Sequence, residues 1–369
     1  AGGHCSMSLD AARYDPIDPL ATGTEAVRTA FENQVAYCRD NGAPVTALVC
    51  QALLELLDGE RGGTVMARIR AWSGPPLADA LPLRIAGGLH ALHIKREEPG
   101  LTAIYDGLQP VDAKERVADA LERHDRTLLS WLDGPPQTNE AGRSWAYAAA
   151  MLWLIEHGCP PDFALYELGS SAGINLMIDR YRFELGGMAV GPVDARMRIV
   201  PEWRGAAPPD RPFGVVEARG CDVAPVDLTD PEQALRLRAY IWPELTERFA
   251  RMDAATAEAK LAPPRIARVR AGDFVDEVLS NEPRRGVTRA IVHSVVWQYI
   301  PADERAAITA AIEAVGATAT PEAPLAWVML EANRDTHRHE LTVRWWPGGA
   351  QPVTLATAHP HGAWVEWRG

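Results

Sequence analysis

Residues Phe163–Tyr181, FALYELGSSAGINLMIDRY, constrain this chain more than any other stretch. A short apolar run, Phe163–Leu168, carries an acid, Glu167, near its end. A loop of small residues follows (Gly169, Ser170, Ser171, Ala172, Gly173), and then a helix-like run from Ile174. The pattern predicts strand, tight turn and helix, with glycine where a backbone must bend sharply or let a ligand come close. Two chemistries use such a unit. Glu-x-Gly-x-x-x-Gly describes a turn that cradles a nucleotide-like ligand. Gly-x-Ser-x-Gly describes an elbow that presents a nucleophilic serine, here Ser171.

The surrounding chain bears on the choice. From about residue 24 to 158, apolar residues recur at helical spacing: Val27, Phe31, Val35 and Cys38, then Leu48, Ala52, Leu56 and Leu57. Asp112–Leu132 continues the pattern. Gly74-Pro75-Pro76, Asp133-Gly134-Pro135-Pro136 and Gly158 are predicted stops. Gly87-Gly88 lies inside the apolar helix candidate Leu81–Lys95. Each glycine costs roughly 1 kcal/mol in a helix interior, so the pair predicts close packing or a break. No strand pattern stands out in this half.

After Pro161 the texture changes to apolar strands alternating with helices. Strands are predicted at Phe163–Leu168, Val215–Cys221, Ile266–Ala271, Arg289–Val296 and Leu325–Glu331. Residues 183–213 read as an insertion. A long helix from Asp230 to Lys260 is expected to bend at Trp242-Pro243, because proline removes a backbone donor. Glu340–Trp346 and Ala363–Arg368 alternate like half-buried strands, separated by a Gly/Pro-rich stretch. The fold class is therefore α/β: a mostly parallel sheet covered on both faces, with an antiparallel pair at one edge, following an α-helical domain. The expected division is 1–159 and 160–369. In such sheets a ligand sits at the carboxyl ends of the strands, where strand order reverses. That directs attention to Gly169–Gly173, Asp222, Asp273, His293–Tyr299 and Glu331–Asn333.

Net charge is −12 over 369 residues, which argues against a general nucleic-acid binder, since that needs a basic face. Five widely spaced cysteines (Cys5, Cys38, Cys50, Cys159, Cys221) form neither a zinc-ligand nor a redox spacing, so a reducing compartment is expected. No run reaches the length of a membrane span. The N-terminus lacks a secretion-signal layout, and the expected location is the cytoplasm.

The layout resembles the class I S-adenosylmethionine-dependent methyltransferase superfamily over roughly residues 160 to 369. The motif that carries the resemblance is Glu167-Leu168-Gly169-Ser170-Ser171-Ala172-Gly173. The resemblance implies a Rossmann-like sheet with S-adenosylmethionine over that turn and Glu167 near the cofactor's amino group. It implies that Asp222, ending Gly220-Cys221-Asp222, binds the ribose hydroxyls, or that Glu184 does so in its place. Asp273 in Ala271-Gly272-Asp273-Phe274 would lie near adenine. Gln137-Thr138-Asn139-Glu140 with Arg143, the run 169–176, and the run from Arg219 to Trp242-Pro243 resemble, more narrowly, an uncharacterised bacterial family of this fold. The fourth strand, His293-Ser294-Val295-Val296-Trp297, carries no substrate signature, so the acceptor is expected only to be a small molecule held between the helical part and the sheet.

Candidate residues follow. His293 stands where a fourth-strand residue would face the reacting methyl group; an unperturbed histidine suits proton removal near neutrality, and a packed core histidine is the plain alternative. Glu140 is a second candidate base. Trp297 and Tyr299 would wall the acceptor site, an aromatic face attracting a sulfonium. Asn139, Glu140 and Arg143 form a polar cluster before the domain junction, with Asn139 and Arg143 as candidate substrate-binding residues; a helix start would explain Asn139 and Glu140, whereas the charge of Arg143 disfavours that end and points to an acid or a ligand carboxylate. His337/His339 and His359/His361 could each grip a metal from one strand face, but polar loop residues explain them as well. No metal site is predicted, and His90 with His93 reads as core. A serine hydrolase would use Ser171 with Asp335 and His359 or His361. Such a sheet, however, has strands ahead of its elbow, and here helices precede it. A regulatory module that binds the cofactor without turnover is the other alternative.

Overall fold

A computed structural model describes residues 18–107, 112–333, 335–336 and 338–369. Cys5 and His337 lie outside the described residues. The chain divides into two compact units, Ala1–Pro136 with Ala239–Leu245, and Gln137–Arg238 with Thr246–Gly369.

The described regular elements of the first unit are helical: α1 (Thr24–Asp40), α2 (Pro44–Leu56), α3 (Gly63–Arg70), α4 (Leu81–Ile94), α5 (Pro99–Tyr105), α6 (Ala113–Arg123) and α7 (Asp125–Leu129). Helix α1 buries Val27, Ala30, Phe31, Val35 and Cys38, the i, i+3, i+4 stripe that drives an amphipathic helix onto a core. The Gly87-Gly88 pair lies within an unbroken α4. A Cβ on Gly87 would stand 2.6 Å from the Tyr240 ring, and one on Gly88 would stand 2.8 Å from Leu128. Close packing is thus the reason for both glycines. His90 and His93 stack against Tyr105, with ring centroids 5.1 and 4.7 Å away.

Two predicted helices are interrupted. The one expected over Asp112–Leu132 breaks at His124 and finishes as a 3-10 turn, Ser130–Asp133. The break lets Asp125 Oδ1 accept from the Val65 N–H (2.9 Å), placing a carboxylate at the amino end of α3. The one expected over 230–260 becomes α9 (Pro231–Ala239) and α10 (Thr246–Leu261). Between them, Glu244 accepts from the Val45 and Thr46 N–H groups at the start of α2.

The second unit carries α8 (Ser144–Glu156), α10, α11 (Ala271–Ser280) and α12 (Ala302–Gly316) around a nine-stranded mixed sheet. Its strands are β1 (Asp162–Leu168), β5 (Glu202–Arg204), β6 (Gly214–Asp222), β7 (Ile266–Arg268), β8 (Val287–Ser294), β9 (Leu325–Asn333), β10 (Arg338–Trp346), β11 (Gly349–Ala358) and β12 (Trp364–Trp367). Their order is β5-β12-β11-β10-β9-β8-β1-β6-β7. From β7 to β9 all neighbours are parallel, and β10, β11 and β12 then return as an antiparallel meander. The two edge strands expected from the sequence are β10 and β12. They do not pair with each other, because β11 lies between them. Within the insertion, β2 (Arg182–Leu185), β3 (Met188–Val190) and β4 (Arg198–Ile199) form a small separate sheet, while β5 joins the main sheet beside β12.

Strand β1 lies inside the sheet between β8 and β6, and six of its seven residues are buried, as a parallel strand covered on both faces requires. Ala164, Tyr166 and Leu168 pack with Phe274, Val278, Ile308 and Ile312 of α11 and α12. On its other face, Glu167 receives a hydrogen bond from Tyr147 of α8. Successive strands run from β1 out to β6 and β7, then return to β8 and β9 on the opposite side. The switch in strand order therefore falls between β1 and β8.

Candidate functional site

At that switch point the β1 loop turns on three left-handed residues: Gly169 (φ +66°), Ser171 (φ +52°) and Gly173 (φ +68°). Ser171 is a rare case for a residue with a Cβ, and Asp222 holds it there. Asp222 Oδ2 accepts from the Ser171 N–H and Oδ1 from the Ala224 N–H, each at 2.8 Å. A Cβ on Gly169 would come 2.3 Å from Val296, and one on Gly173 would come 2.8 Å from Pro264. Ser170 is fully buried; its Oγ donates to the Glu167 carbonyl and its N–H to the Cys221 carbonyl. Asn139 Oδ1 accepts from the Ile174 N–H (2.9 Å), capping the 3-10 helix Ile174–Arg180 that leaves the loop.

A cleft of about 260 Å³ opens beside this loop. Gly169, Cys221, Asp222 and Val223 line it. Val269–Ala271, Val296, Tyr299–Pro301 and Glu304 complete the lining. Val223 and Tyr299 are 69% and 74% exposed, so the cleft is rimmed by apolar surface left to solvent. Asp273, expected at a strand end, is exposed in the first turn of α11 and does not line the cleft. Strand β7 stops at Arg268, and the helix starts at Ala271, which turns Asp273 outward. Glu184 pairs with Arg198 within the small sheet and is likewise outside the cleft lining.

Behind the loop, Glu167 is 2% exposed. Its Oε1 accepts from Tyr147 (3.0 Å), while Oε2 is buried with no hydrogen-bond partner. Burial pushes its carboxyl up to about 7, against the opposing pull of Tyr147, Ser170 and Asn175. The Ser171 hydroxyl also has no partner. No base therefore contacts it among the described residues.

His293 is fully buried between two partners. Trp327 donates its indole N–H to Nε2 (3.0 Å), and Nδ1 lies 2.6 Å from Glu331 Oε1. An indole is a donor only, so Nε2 is the acceptor and Nδ1 carries the proton given to Glu331. Trp297 stacks on the imidazole at 4.9 Å. Glu331 also accepts from the N–H groups of Val296 and Trp297 and thereby fixes the turn after β8. Both nitrogens of His293 are thus in use. Glu140 is occupied too. It accepts from Gly142 N–H and is held by Arg248 and Arg251 of α10. Neither residue is left as a free base.

Arg143 is 8% exposed, with its Nε donating to the Pro360 carbonyl (2.8 Å), and burial lowers its pKa. His361 is pushed down to about 2, chiefly by burial and then by Arg248, Arg143 and the neighbouring histidines. Its N–H donates to His359 Nδ1. No group of three or more His, Cys, Asp or Glu among the described residues is placed to hold a metal ion.

The structure thus brings together Glu167, Gly169, Ser170, Ser171, Gly173 and Asp222 at the loop, and His293 and Trp297 at the end of β8. Tyr299 lines the cleft. Sequence reasoning missed Tyr147, Arg248 and Arg251. Tyr147 sits in a uniformly apolar run, and the two arginines share a face of α10 with nothing in their spacing to mark them.

No helix among the described residues is long and apolar enough to cross a membrane. No curated protein and no solved structure matches the chain. The model of a family described as an uncharacterised protein conserved in bacteria (DUF2332) matches residues 28–367, and the chain belongs to that family.

Proposed function

We propose that the second unit binds S-adenosylmethionine and transfers its methyl group to a small molecule, on a methyltransferase-like, Rossmann-related sheet. The observation that carries this reading is the cleft at the switch point, bounded by the glycine turn after β1 and by the acid that ends β6. The strand order β7-β6-β1-β8-β9 with reversed strands beyond β9 supports the same fold assignment.

The residues present fit the cofactor. The Gly169 position is a cradle that any Cβ would fill. The unpartnered Oε2 of Glu167 suits an ammonium group, and the Ser171 hydroxyl is a free polar group nearby in the chain. Asp222 keeps lone pairs for ribose hydroxyls beyond the two N–H groups it accepts. Val223 and Tyr299 offer apolar surface to a purine. When bound, S-adenosylmethionine supplies an electrophilic methyl group on a sulfonium. The chain's part is then positioning: Glu331 fixes the Val296–Tyr299 turn, and His293 backs the Trp297 ring.

The occupied state of His293 and Glu140 favours a second reading, a module that binds the cofactor without turnover. Both readings share one site, and hydrogen exchange locates it. S-adenosylhomocysteine is expected to slow exchange at the amides of 169–173, 222–224, 270–272 and 296–300. Protection elsewhere, or none, removes this site.

A further inference from the structure

A buried guanidinium requires a counter-charge, because removing it from water is costly unless it is paired. Arg143 is 8% exposed, yet no carboxylate lies within ion-pair distance of it among the described residues. Its one hydrogen bond among the described residues runs from Nε to the Pro360 carbonyl; neither Nη atom bonds a protein group, and neither is fully enclosed, so the fork stays open to a ligand. The two acids whose charge acts on it are committed elsewhere. Glu140 binds Arg248, Arg251 and the Gly142 N–H, and Glu331 binds His293 and the N–H groups of Val296 and Trp297.

Near Arg143 lies a second polar group without a partner. His361 Nδ1 is buried with no partner. Its segment is pressed against the arginine's own: a Cβ on Gly142 would come 2.5 Å from the His361 carbonyl, and one on Gly362 would come 2.3 Å from the Gly142 carbonyl. The charged and titratable groups facing this place are Glu140, Arg248, Tyr147 and Glu331 toward Arg143, and Arg248, His359 and His339 toward His361. Burial lowers the pKa of His339 and His359 as well, so the imidazoles here are neutral donors or acceptors and Arg143 is the cation in need of a partner.

We infer that Arg143, with His361 beside it, binds the oxyanion group of a small-molecule ligand, a carboxylate or a phosphate, whose two oxygens match the guanidinium fork. Resting on the reading above, this ligand is the methyl acceptor, and the oxyanion is the group that anchors it.

The test is thermal unfolding of the full chain without cofactor, titrated with sodium acetate, malonate or inorganic phosphate against sodium chloride at matched ionic strength. The expected result is a saturable rise in Tm with carboxylates or with phosphate, and the effective anion names the acceptor's group. In Arg143→Met the apparent affinity is expected to fall by about tenfold or more. Should that variant not fold, Arg143→Lys keeps the charge and loses the fork, and a weaker response is again expected. A rise that chloride matches, or one unchanged in these variants, overturns the inference. Anion binding without S-adenosylhomocysteine binding leaves this site standing and removes the methyl-transfer reading; the converse removes only this site.

Discussion

Replacing Glu140 by alanine is expected to destabilise the second unit by about 3–5 kcal/mol, the cost of leaving buried cations without their carboxylate. The Glu140 side chain is 4% exposed, and those of Arg248 and Arg251 are 13% and 22% exposed. One carboxylate thus serves two largely buried guanidiniums and the Gly142 N–H at the start of the turn Ala141–Arg143. Alanine removes all three acceptor contacts together. Urea unfolding at neutral pH measures the loss as a lower midpoint. Glu140→Gln separates this scaffold role from a catalytic one. Glutamine can still accept from Gly142, but its missing charge leaves the arginines uncompensated, so much of the destabilisation should remain. If Glu140→Gln were as stable as the parent, Glu140 would not be the counter-ion described.

Glu167→Gln is expected to act in the opposite direction on stability. Burial, the largest influence, raises the Glu167 carboxyl from 4.5 to about 7. The folded state therefore holds a proton that the unfolded state has released. The contribution is fully present below about pH 4.5 and is lost as pH rises through about 7, amounting to about 3 kcal/mol at pH 8 and above. Glutamine keeps an acceptor for Tyr147 without the buried charge. The variant should gain up to that amount at pH 8, gain nothing at pH 4.5, and show a flatter dependence of Tm on pH. Loss of stability at pH 8 would contradict the desolvation account. If the unpartnered Oε2 receives the cofactor's ammonium, the same substitution weakens S-adenosylhomocysteine by about 1.5–3 kcal/mol, the range for hydrogen bonds to charged groups. Stability and binding then move in opposite directions, as they do where a costly group is kept for its ligand.

Much of the sheet was legible because its signals are local. Apolar runs mark β1 and β8, the glycine turn after β1 and the acid ending β6 mark strand ends, and Pro243 marks the break between α9 and α10. Other features depend on partners remote in sequence. Strand β11 starts in a Gly/Pro-rich stretch, and only its pairing with β10 and β12 makes it a strand. The break at His124 serves the amino end of α3. The position of Asp273 depends on β7 stopping at Arg268, which no local pattern fixes.

The site follows the same division. The glycine turn and Asp222 could be located because each lies at the end of a predicted strand. His293 could be located but its state could not: its tautomer is set by Trp327 and Glu331 on β9. Arg143 stood out as a misplaced charge and Glu140 read as a helix-start acid, yet only the structure pairs Glu140 with α10 and leaves Arg143 without a counter-ion.

Calorimetric titration of the full chain with S-adenosylmethionine and S-adenosylhomocysteine is expected to show micromolar binding of both, weakened about tenfold or more in Asp222→Ala, where an acid that would grip the ribose hydroxyls is removed. Absence of binding to either compound, or binding that Asp222→Ala leaves unchanged, would contradict the proposed cofactor site.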